Sequence, residues 1–279
     1  MRARSARPGP AGSGRSAVVT GAARGIGEAI ATELVRLGYR VLVTDVDGAA
    51  AAATARRIGA VAGLRHDVTE EAAHAAVAEQ ARTHAPLGVW VNNAGVGHDG
   101  TLAELSSDAV RSLVEVNLLG VVWGLRAATT ALREQAAGGV RGGDIVIIAS
   151  LSALGPVPGL SLYAATKAAV LSLAGSLHSE LRRDGIRVHA VCPDGVDTAL
   201  LRGMAEDGQA RALVRSGTLL TPGEVAHAVS GLLGSRRVYR TLPAWRGALM
   251  RTAALAPGPT MRLEPVLRAI GGRRARSRR

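Results

Sequence analysis

From residue 16 to residue 242 the chain alternates short, continuously apolar runs with longer Ala- and Leu-rich segments. The predicted strands are residues 16–20, 40–44, 60–66, 87–92, 144–149, 186–191 and 237–242. The predicted helices are residues 25–38, 48–58, 70–84, 101–136, 161–183 and 222–234. Strands that are apolar throughout are covered on both faces, so the alternation predicts an α/β fold with one doubly wound parallel sheet in a single domain. Ligands of such sheets bind at the carboxyl ends of the strands.

The formal net charge of +12 is concentrated at the two ends of the chain. Residues 236–279 hold twelve arginines and one acid, residues 1–15 hold four arginines, and the remainder is left at −3. We therefore predict four parts: a disordered basic arm (1–15), a central domain (16–242), a C-terminal helical extension (243–271) and a basic tail (272–279). Because the central domain is mildly acidic and aromatic residues make up 2% of the chain, no specific nucleic-acid partner is expected.

Cysteine content and hydropathy exclude further classes. The one cysteine, Cys192, rules out an intrachain disulfide, and no His/Cys cluster has zinc spacing, so no metal site is expected. The sequence has no apolar window of about 18 residues and no secretory leader, which predicts a cytoplasmic protein. The extension at 243–271 is expected to pack on the protein itself. The alternatives are a cap on a substrate cleft, a subunit interface or contact with an anionic membrane surface.

A glycine-rich loop follows the first predicted strand and precedes a helix. Its residues are Gly21, Ala22, Ala23, Arg24, Gly25, Ile26 and Gly27. Glycines let the backbone turn sharply beside a pyrophosphate, and free amides at the helix N-terminus meet the phosphate charge. The spacing G-x-x-x-G-x-G is weak evidence alone, because glycine also marks ordinary turns.

Acidic residues end the next two predicted strands. Asp45 is placed to accept hydrogen bonds from the adenosine ribose, which favours NAD, whereas Arg24 could clamp the extra phosphate of NADP, the alternative cofactor. Asp67 and Val68 end the third strand and are placed to reach the adenine. An acidic helix cap before Glu70 is the alternative role for Asp67.

Tyr163 and Lys167 stand four residues apart on one predicted helical face, and Lys167 is the only lysine of the chain. An adjacent ammonium favours the phenolate, so we expect it to lower the pKa of Tyr163 from about 10 toward neutrality. Ser150, thirteen residues before Tyr163, could hold a substrate oxygen, and Ser152 is equally placed by spacing. Asn117 lies within an apolar helix, where its amide could anchor a water relay or bend the helix.

These residues together resemble the short-chain dehydrogenase/reductase family over roughly residues 16–242. The matching motifs are Thr20-Gly-x-x-x-Gly-Ile-Gly27, Asn92-Asn93-Ala94-Gly95, Asn117, Ser150, Tyr163-x-x-x-Lys167 and the segment from Pro193 to Thr198. The resemblance implies a Rossmann-like sheet of seven strands. One departure is visible: Asp194 stands where the family has glycine after Pro193.

The resemblance also implies residue roles. Tyr163 would be the acid/base, Lys167 its pKa modifier and a ribose ligand, Ser150 (rather than Ser152) the substrate positioner and Asn117 the relay anchor. Further cofactor contacts would come from Asn93, Ala94, Gly95, Pro193, Val196 and Thr198.

The sequence thus predicts an NAD-dependent oxidoreductase acting on a small secondary alcohol or ketone. Apolar residues in the flanking loops favour an apolar or cyclic substrate; they are Leu151, Leu154, Pro156, Val157, Leu160, Leu200, Leu201 and Met204, with His98 nearby. The alternative is a catalytically silent dinucleotide-binding scaffold or sensor. The family resemblance suggests a homodimer or homotetramer through residues 101–136 and 161–183.

Overall fold

The structure is a computed structural model that describes residues 14–198, 219–255 and 258. Most of the predicted basic arm, the basic tail, and Leu200, Leu201 and Met204 lie outside the described residues.

Seven parallel strands form one sheet in the order β3-β2-β1-β4-β5-β6-β7. The strands are β1 (Ser16–Thr20), β2 (Arg40–Asp45), β3 (Ala62–Arg65), β4 (Leu87–Asn92), β5 (Gly143–Ile148), β6 (Ile186–Pro193) and β7 (Tyr239–Leu242). The strand order reverses at β1 and β4, which makes the sheet doubly wound. This confirms the predicted fold class.

Helices cover both faces of the sheet. They are α1 (Gly25–Arg36), α2 (Gly48–Ile58), α3 (Glu71–His84), α4 (Ser107–Val114), α5 (Gly120–Ala137), α6 (Ser161–Glu180), α7 (Pro222–Ser230) and α8 (Ala244–Leu255). Apolar side chains of α1, α2 and α7 form one core with the sheet, and those of α3, α5 and α6 form the other. Two cores on one sheet explain why the strands are apolar throughout.

The structure divides the segment predicted as one helix at residues 101–136. The Ser106 side chain accepts a hydrogen bond from the Ala109 amide and starts α4 six residues later than predicted. A π-helical turn, Glu115–Leu119, then separates α4 from α5. Such wide turns occur often at functional sites, and this one holds Asn117.

The α8 helix falls within the predicted C-terminal extension. Among the described residues, no helix is long and apolar enough to cross a bilayer.

Candidate active site

The predicted site residues gather at the carboxyl edge of the sheet. Each follows a strand end or lies on a helix that begins there, as expected for this architecture. The first group is the loop between β1 and α1, and the second is the set of turns after β2 to β6, with the start of α6 beside them.

Close backbone contacts shape the glycine-rich loop. Gly21 and Gly25 have φ of +59° and +63°, which favour glycine. A Cβ on Gly27 would overlap the carbonyl oxygen of Gly21, so only glycine fits where α1 begins. No side chain caps the N-terminus of α1. The first-turn amides of such a helix can bind an anionic group, so the loop fits a dinucleotide phosphate.

Thr20 organises this loop, a role that was not predicted from the sequence motif. Its hydroxyl oxygen accepts hydrogen bonds from the amides of Asn93 and Ala94, each at 3.0 Å. The Asn93 side chain donates in turn to the carbonyls of Thr20 and Gly21, each at 2.9 Å. These four hydrogen bonds therefore hold the turn after β4 against the loop after β1. A threonine directly before the first glycine is the signal that could have revealed this role.

Asp45 bonds directly to the loop, whereas the Arg24 side chain is exposed. The Asp45 carboxylate accepts hydrogen bonds from the Ala23 amide at 3.1 Å and the Asp47 amide at 3.2 Å. Arg24 is exposed and makes no cap contact. The position of Asp45 therefore fits the ribose contact expected of it.

Asp67 folds onto its own turn instead of capping α3. One carboxylate oxygen accepts hydrogen bonds from the amide and the hydroxyl of Thr69, at 3.0 and 2.7 Å. The hydroxyl bond is the main reason why the pKa of Asp67 lies below its usual range. The N-cap residue of α3 is Glu70, whose side chain makes no capping hydrogen bond. Val68 is buried, and a Cβ on Gly120 would lie 3.0 Å from the Val68 carbonyl oxygen, so the start of α5 packs directly on this turn.

Tyr163 and Lys167 lie on adjacent turns of α6, as predicted. The Lys167 ammonium nitrogen is 5.7 Å from the centre of the Tyr163 ring and donates to the Ile148 carbonyl at 3.0 Å. Lys167 is buried and Tyr163 is half-buried. The two side chains therefore face the same end of β5.

The expected lowering of the tyrosine pKa is wrong for the protein without a cofactor. Burial raises the pKa of Tyr163 to about 12, and a hydrogen bond with the Ser150 side chain only partly opposes this. Burial also lowers the pKa of Lys167 to about 8. Both shifts have the same cause, because a low-dielectric environment disfavours the charged form of either group.

The structure separates the two serine candidates. Ser150 interacts with the Tyr163 side chain, and its hydroxyl oxygen accepts a hydrogen bond from the Ser152 amide at 3.1 Å. The Ser152 hydroxyl is buried without a hydrogen-bond partner. Ser150 is therefore the serine that can reach a substrate oxygen held by the phenol.

Asn117 holds the turn after β4 against the π-helical turn. Its side-chain oxygen accepts from the Val96 amide and its nitrogen donates to the Val96 carbonyl, both at 2.9 Å. A Cβ on Gly95 would lie 3.1 Å from this oxygen and 3.6 Å from the Lys167 nitrogen. The side chains of Asn117 and Lys167 thus both lie close to the Gly95 backbone. Asn117 lies within the π-helical turn, and its side-chain oxygen and one of its two side-chain N–H groups are bonded to Val96.

The segment after β6 closes the other side of the site. Pro193 ends the strand, and the Thr198 methyl group lies 3.6 Å from where a Cβ of Gly25 would be. The Val196 side chain is buried in the core, so its contact with a cofactor would have to come from its backbone. The pKa of Asp194 is raised by burial and partly restored by the nearby Arg246 guanidinium.

A cavity of about 630 Å³ lies beside the loop that joins Ser150 to Tyr163. Its lining includes Leu154, Pro156 and Val157, together with Ala165 and Ala168 of α6. At 100° per residue, Ala165 and Ala168 face away from Tyr163, so this cavity lies against a different face of α6 from the phenol. Leu151 and Leu160, two predicted substrate contacts, are instead buried.

Metal-ligating residues do not cluster at this site. Within residues 14–198, 219–255 and 258, no group of three or more His, Cys, Asp or Glu side chains could hold a metal ion. Burial raises the pKa of the Cys192 thiol to about 12, which keeps it protonated beneath the site.

A parallel, doubly wound sheet with a glycine-rich loop after its first strand defines a Rossmann-like protein. The family model described as short chain dehydrogenase matches residues 15–209. The chain therefore belongs to the short-chain dehydrogenase/reductase family of oxidoreductases, which confirms the predicted resemblance.

Individual relatives agree with this assignment. The chain is 38% identical over 186 residues to a sorbitol dehydrogenase of Cereibacter sphaeroides, a match covering 66% of this chain and 71% of that protein. It is similar to the structure of a 3-ketoacyl-(acyl-carrier-protein) reductase from Brucella melitensis complexed with NADH, with 31% identity, a TM-score of 0.75, and coverage of 85% of this chain and 99% of that one. A short-chain dehydrogenase/reductase from Burkholderia phymatum in complex with NAD gives 29% identity, a TM-score of 0.77, and coverage of 86% and 93%.

Proposed function

We propose that the protein is an NAD-dependent oxidoreductase that transfers hydride between the nicotinamide and the carbon of a secondary alcohol or ketone. The observation that carries this proposal is the convergence of Ser150, Tyr163 and Lys167 at the end of β5, beside the glycine-rich loop. The NADH and NAD bound by two similar structures support the choice of cofactor.

Proton transfer is assigned to Tyr163. In ketone reduction the phenol donates its proton to the substrate oxygen, and in alcohol oxidation the phenolate accepts the hydroxyl proton. Ser150 holds that oxygen by a hydrogen bond, since its side chain already interacts with the phenol. A bound NAD supplies the hydride acceptor or, when reduced, the hydride donor.

Lys167 and Asn117 support the phenol. With a pKa of about 8 the ammonium is charged at neutral pH, so a cation is available 5.7 Å from the Tyr163 ring. Asn117 fixes the turn that carries Asn93, Ala94 and Gly95, which are proposed to line the cofactor. The proposed phosphate and ribose ligands are the glycine-rich loop and Asp45.

Asp45 makes the cofactor preference testable. Its carboxylate would repel the 2′-phosphate of NADP, so the wild-type protein should prefer NADH over NADPH. Asp45→Ser should reduce the ratio of kcat/KM with NADH to that with NADPH by roughly tenfold, which corresponds to about 1.4 kcal/mol. Glu70→Gln, at an exposed acid of another turn, is the control and should leave the preference unchanged.

The decisive experiment is a substrate panel with the full chain. Cyclohexanone and acetoacetyl-coenzyme A would be tested with NADH and NADPH, and cyclohexanol and sorbitol with NAD and NADP, by the absorbance of the reduced nicotinamide. We expect turnover of an apolar or cyclic probe with the NAD pair. Turnover that persists in Tyr163→Phe, or no turnover of any probe although NADH binds, would contradict the proposal.

A catalytically silent dinucleotide sensor is the competing proposal. The observation in its favour is the pKa of about 12 at Tyr163, which leaves almost no phenolate at neutral pH. The same panel separates the two, because a sensor binds NADH without oxidising it.

We also propose a homodimer or homotetramer. The outward face of α6 carries small exposed residues, including Ala165, Ser172 and Ser176, which permit close helix approach. Light scattering of the full chain should give at least twice the 28.5 kDa chain mass, and a monomer would contradict this.

A further inference from the structure

A mostly buried ion pair joins the segment after β6 to the C-terminal helix. The Arg246 guanidinium lies 2.8 Å from the Asp194 carboxylate, and the two side chains are only 19% and 10% exposed. The Asp194 amide also donates to the Leu242 carbonyl at 2.8 Å. The first turn of α8 is therefore tied by charge to the turn that follows Pro193.

The α8 helix also contacts β7 and the loop between the catalytic residues. A Cβ on Gly247 would overlap the Thr241 side chain, so the helix lies directly on β7. The Arg251 guanidinium stacks 4.4 Å from the centre of the Tyr239 ring. The Met250 methyl carbon is 3.3 Å from where a Cβ of Gly155 would be, and Gly155 lies between Ser150 and Tyr163.

These contacts place α8 between two walls of the proposed active site. One wall is the segment from Pro193 to Thr198, and the other is the loop that connects Ser150 to Tyr163. We propose that Asp194 and Arg246 are positioning residues, which hold α8 against that loop and so set the affinity for the ketone rather than the rate of hydride transfer. This inference rests on the proposed function, because it concerns the substrate of the same site.

The burial of the pair explains why it can control the position of the helix. Removing the Arg246 charge leaves the mostly buried Asp194 carboxylate without its ionic partner, which is costly, whereas replacing both charges by neutral groups of similar size costs much less. The single substitution Arg246→Gln should therefore release the first turn of α8, because the Asp194 carboxylate then moves toward water. The double substitution Asp194→Asn with Arg246→Gln should release it less.

The test compares these variants with a matched control pair. Arg133 and Asp184 form an exposed ion pair at 2.7 Å on the opposite edge of the sheet, so Arg133→Gln provides the same change of residue away from the site. For each protein, kcat and KM would be measured with NADH and cyclohexanone, or the panel ketone that the wild type reduces best. Fluorescence titration would give the Kd for NADH, and hydrogen exchange would follow the amides of residues 244–255.

In Arg246→Gln we expect KM for the ketone to rise about tenfold, within the usual range of coupling between neighbouring residues. We expect kcat and the Kd for NADH to stay within about threefold, and exchange in residues 244–255 to become faster. The double variant should lie between Arg246→Gln and the wild type, and Arg133→Gln should match the wild type.

An unchanged KM, an equal loss in kcat, or a tenfold change in NADH affinity without a change in KM would overturn the proposed role. If the wild type reduces no ketone, the proposed function fails by itself. Hydrogen exchange then still tests whether the ion pair holds α8 in place. Unchanged exchange of residues 244–255 in Arg246→Gln overturns that role, and faster exchange supports it.

Discussion

Asp144 at the amino edge of the sheet and the pair Tyr163 and Lys167 at the carboxyl edge respond to burial in opposite ways. At the amino edge, the Asp144 carboxylate of β5 receives two bonds from Arg187, both at 2.8 Å, and one from the Gly234 amide at 3.0 Å. His189 lies 3.0 Å away on β6. Burial alone would raise the pKa of Asp144, but its hydrogen bonds to Arg187 and His189 hold it below the usual value.

At the carboxyl edge of the same strands, burial prevails. The hydrogen bond from Lys167 goes to a neutral carbonyl, and the Tyr163 phenol interacts with a neutral hydroxyl. The pKa values of both groups therefore move toward the neutral form. The Asp144 carboxylate is paired with a guanidinium and supports the fold in its charged form, whereas Lys167 faces a neutral carbonyl and, with a pKa of about 8, can exchange its proton near neutral pH.

The largest expected effect is on turnover. Tyr163→Phe removes the proposed acid/base and should lower kcat about 10³-fold, within the usual range for general acid–base catalysis. Tyr39→Phe makes the same change near the amino edge and should leave kcat unchanged. Steady-state assays with NADH and the best panel ketone would measure both. An equal loss in the two variants would remove the functional distinction between the edges.

A smaller effect is expected on the free energy of unfolding when the Asp144 ion pair is broken. Asp144→Asn leaves the Arg187 guanidinium without its carboxylate and should lower the free energy of unfolding by roughly 2 to 3 kcal/mol, less than for a fully buried pair because Arg187 is 36% exposed. Urea denaturation would measure the loss. Because Asp144 is remote from the site, kcat/KM of the folded variant should stay within about twofold of the wild type.

The stability of the protein should depend on pH through Lys167. The pKa of Lys167 is about 8 in the folded protein against an ordinary value of 10.5, so the buried ammonium destabilises the wild type below pH 8. Between these values the unfolded chain binds the proton and the folded chain does not, so stability rises with pH. Relative to Lys167→Met, the free energy of unfolding of the wild type should increase by about 3 kcal/mol from pH 7 to 10.5.

Lys167→Arg is the control for this series, because a guanidinium stays charged throughout. Its stability relative to Lys167→Met should therefore not change with pH. A wild type that behaves like Lys167→Arg would show that Lys167 is fully paired in its charged form, like Asp144.

The smallest effect is expected at the exposed pair Arg133–Asp184. Arg133→Gln should change the free energy of unfolding by no more than about 0.5 kcal/mol, since exposed ion pairs are screened by water and salt. Urea denaturation at low and high salt would measure it. A loss comparable to that in Asp144→Asn would mean that burial is not what distinguishes the amino-edge network.

Elements whose signal is local could be predicted from the sequence. The strands Ser16–Thr20 and Leu87–Asn92 and the helix Gly48–Ile58 have the predicted bounds, because continuous apolar runs and a capping Asp47 define them within a few residues. The gathering of site residues at one edge also followed from the parallel sheet.

Features that depend on distant partners could not be predicted. In the sequence Asp144 is a polar residue at the start of an apolar strand, and no motif predicts its ion pair with Arg187. Asp194 and Arg246 meet only because β7 brings α8 back to the end of β6. The raised pKa of Tyr163 could not be predicted for a related reason, because the spacing of Tyr163 and Lys167 does not reveal how far the surrounding chain removes both groups from water.

Because of the π-helical turn Glu115–Leu119, two contacts of the site depend on the exact number of residues between α4 and α5. Within the turn Asn117 is hydrogen-bonded to Val96, and directly after it Gly120 packs on Val68. Deleting one residue from the turn would restore regular α-helical geometry and rotate one partner by about 100° relative to the other. The shortened chain would form a regular helix but lose one of the two contacts. Insertions and deletions among homologues should therefore avoid this turn.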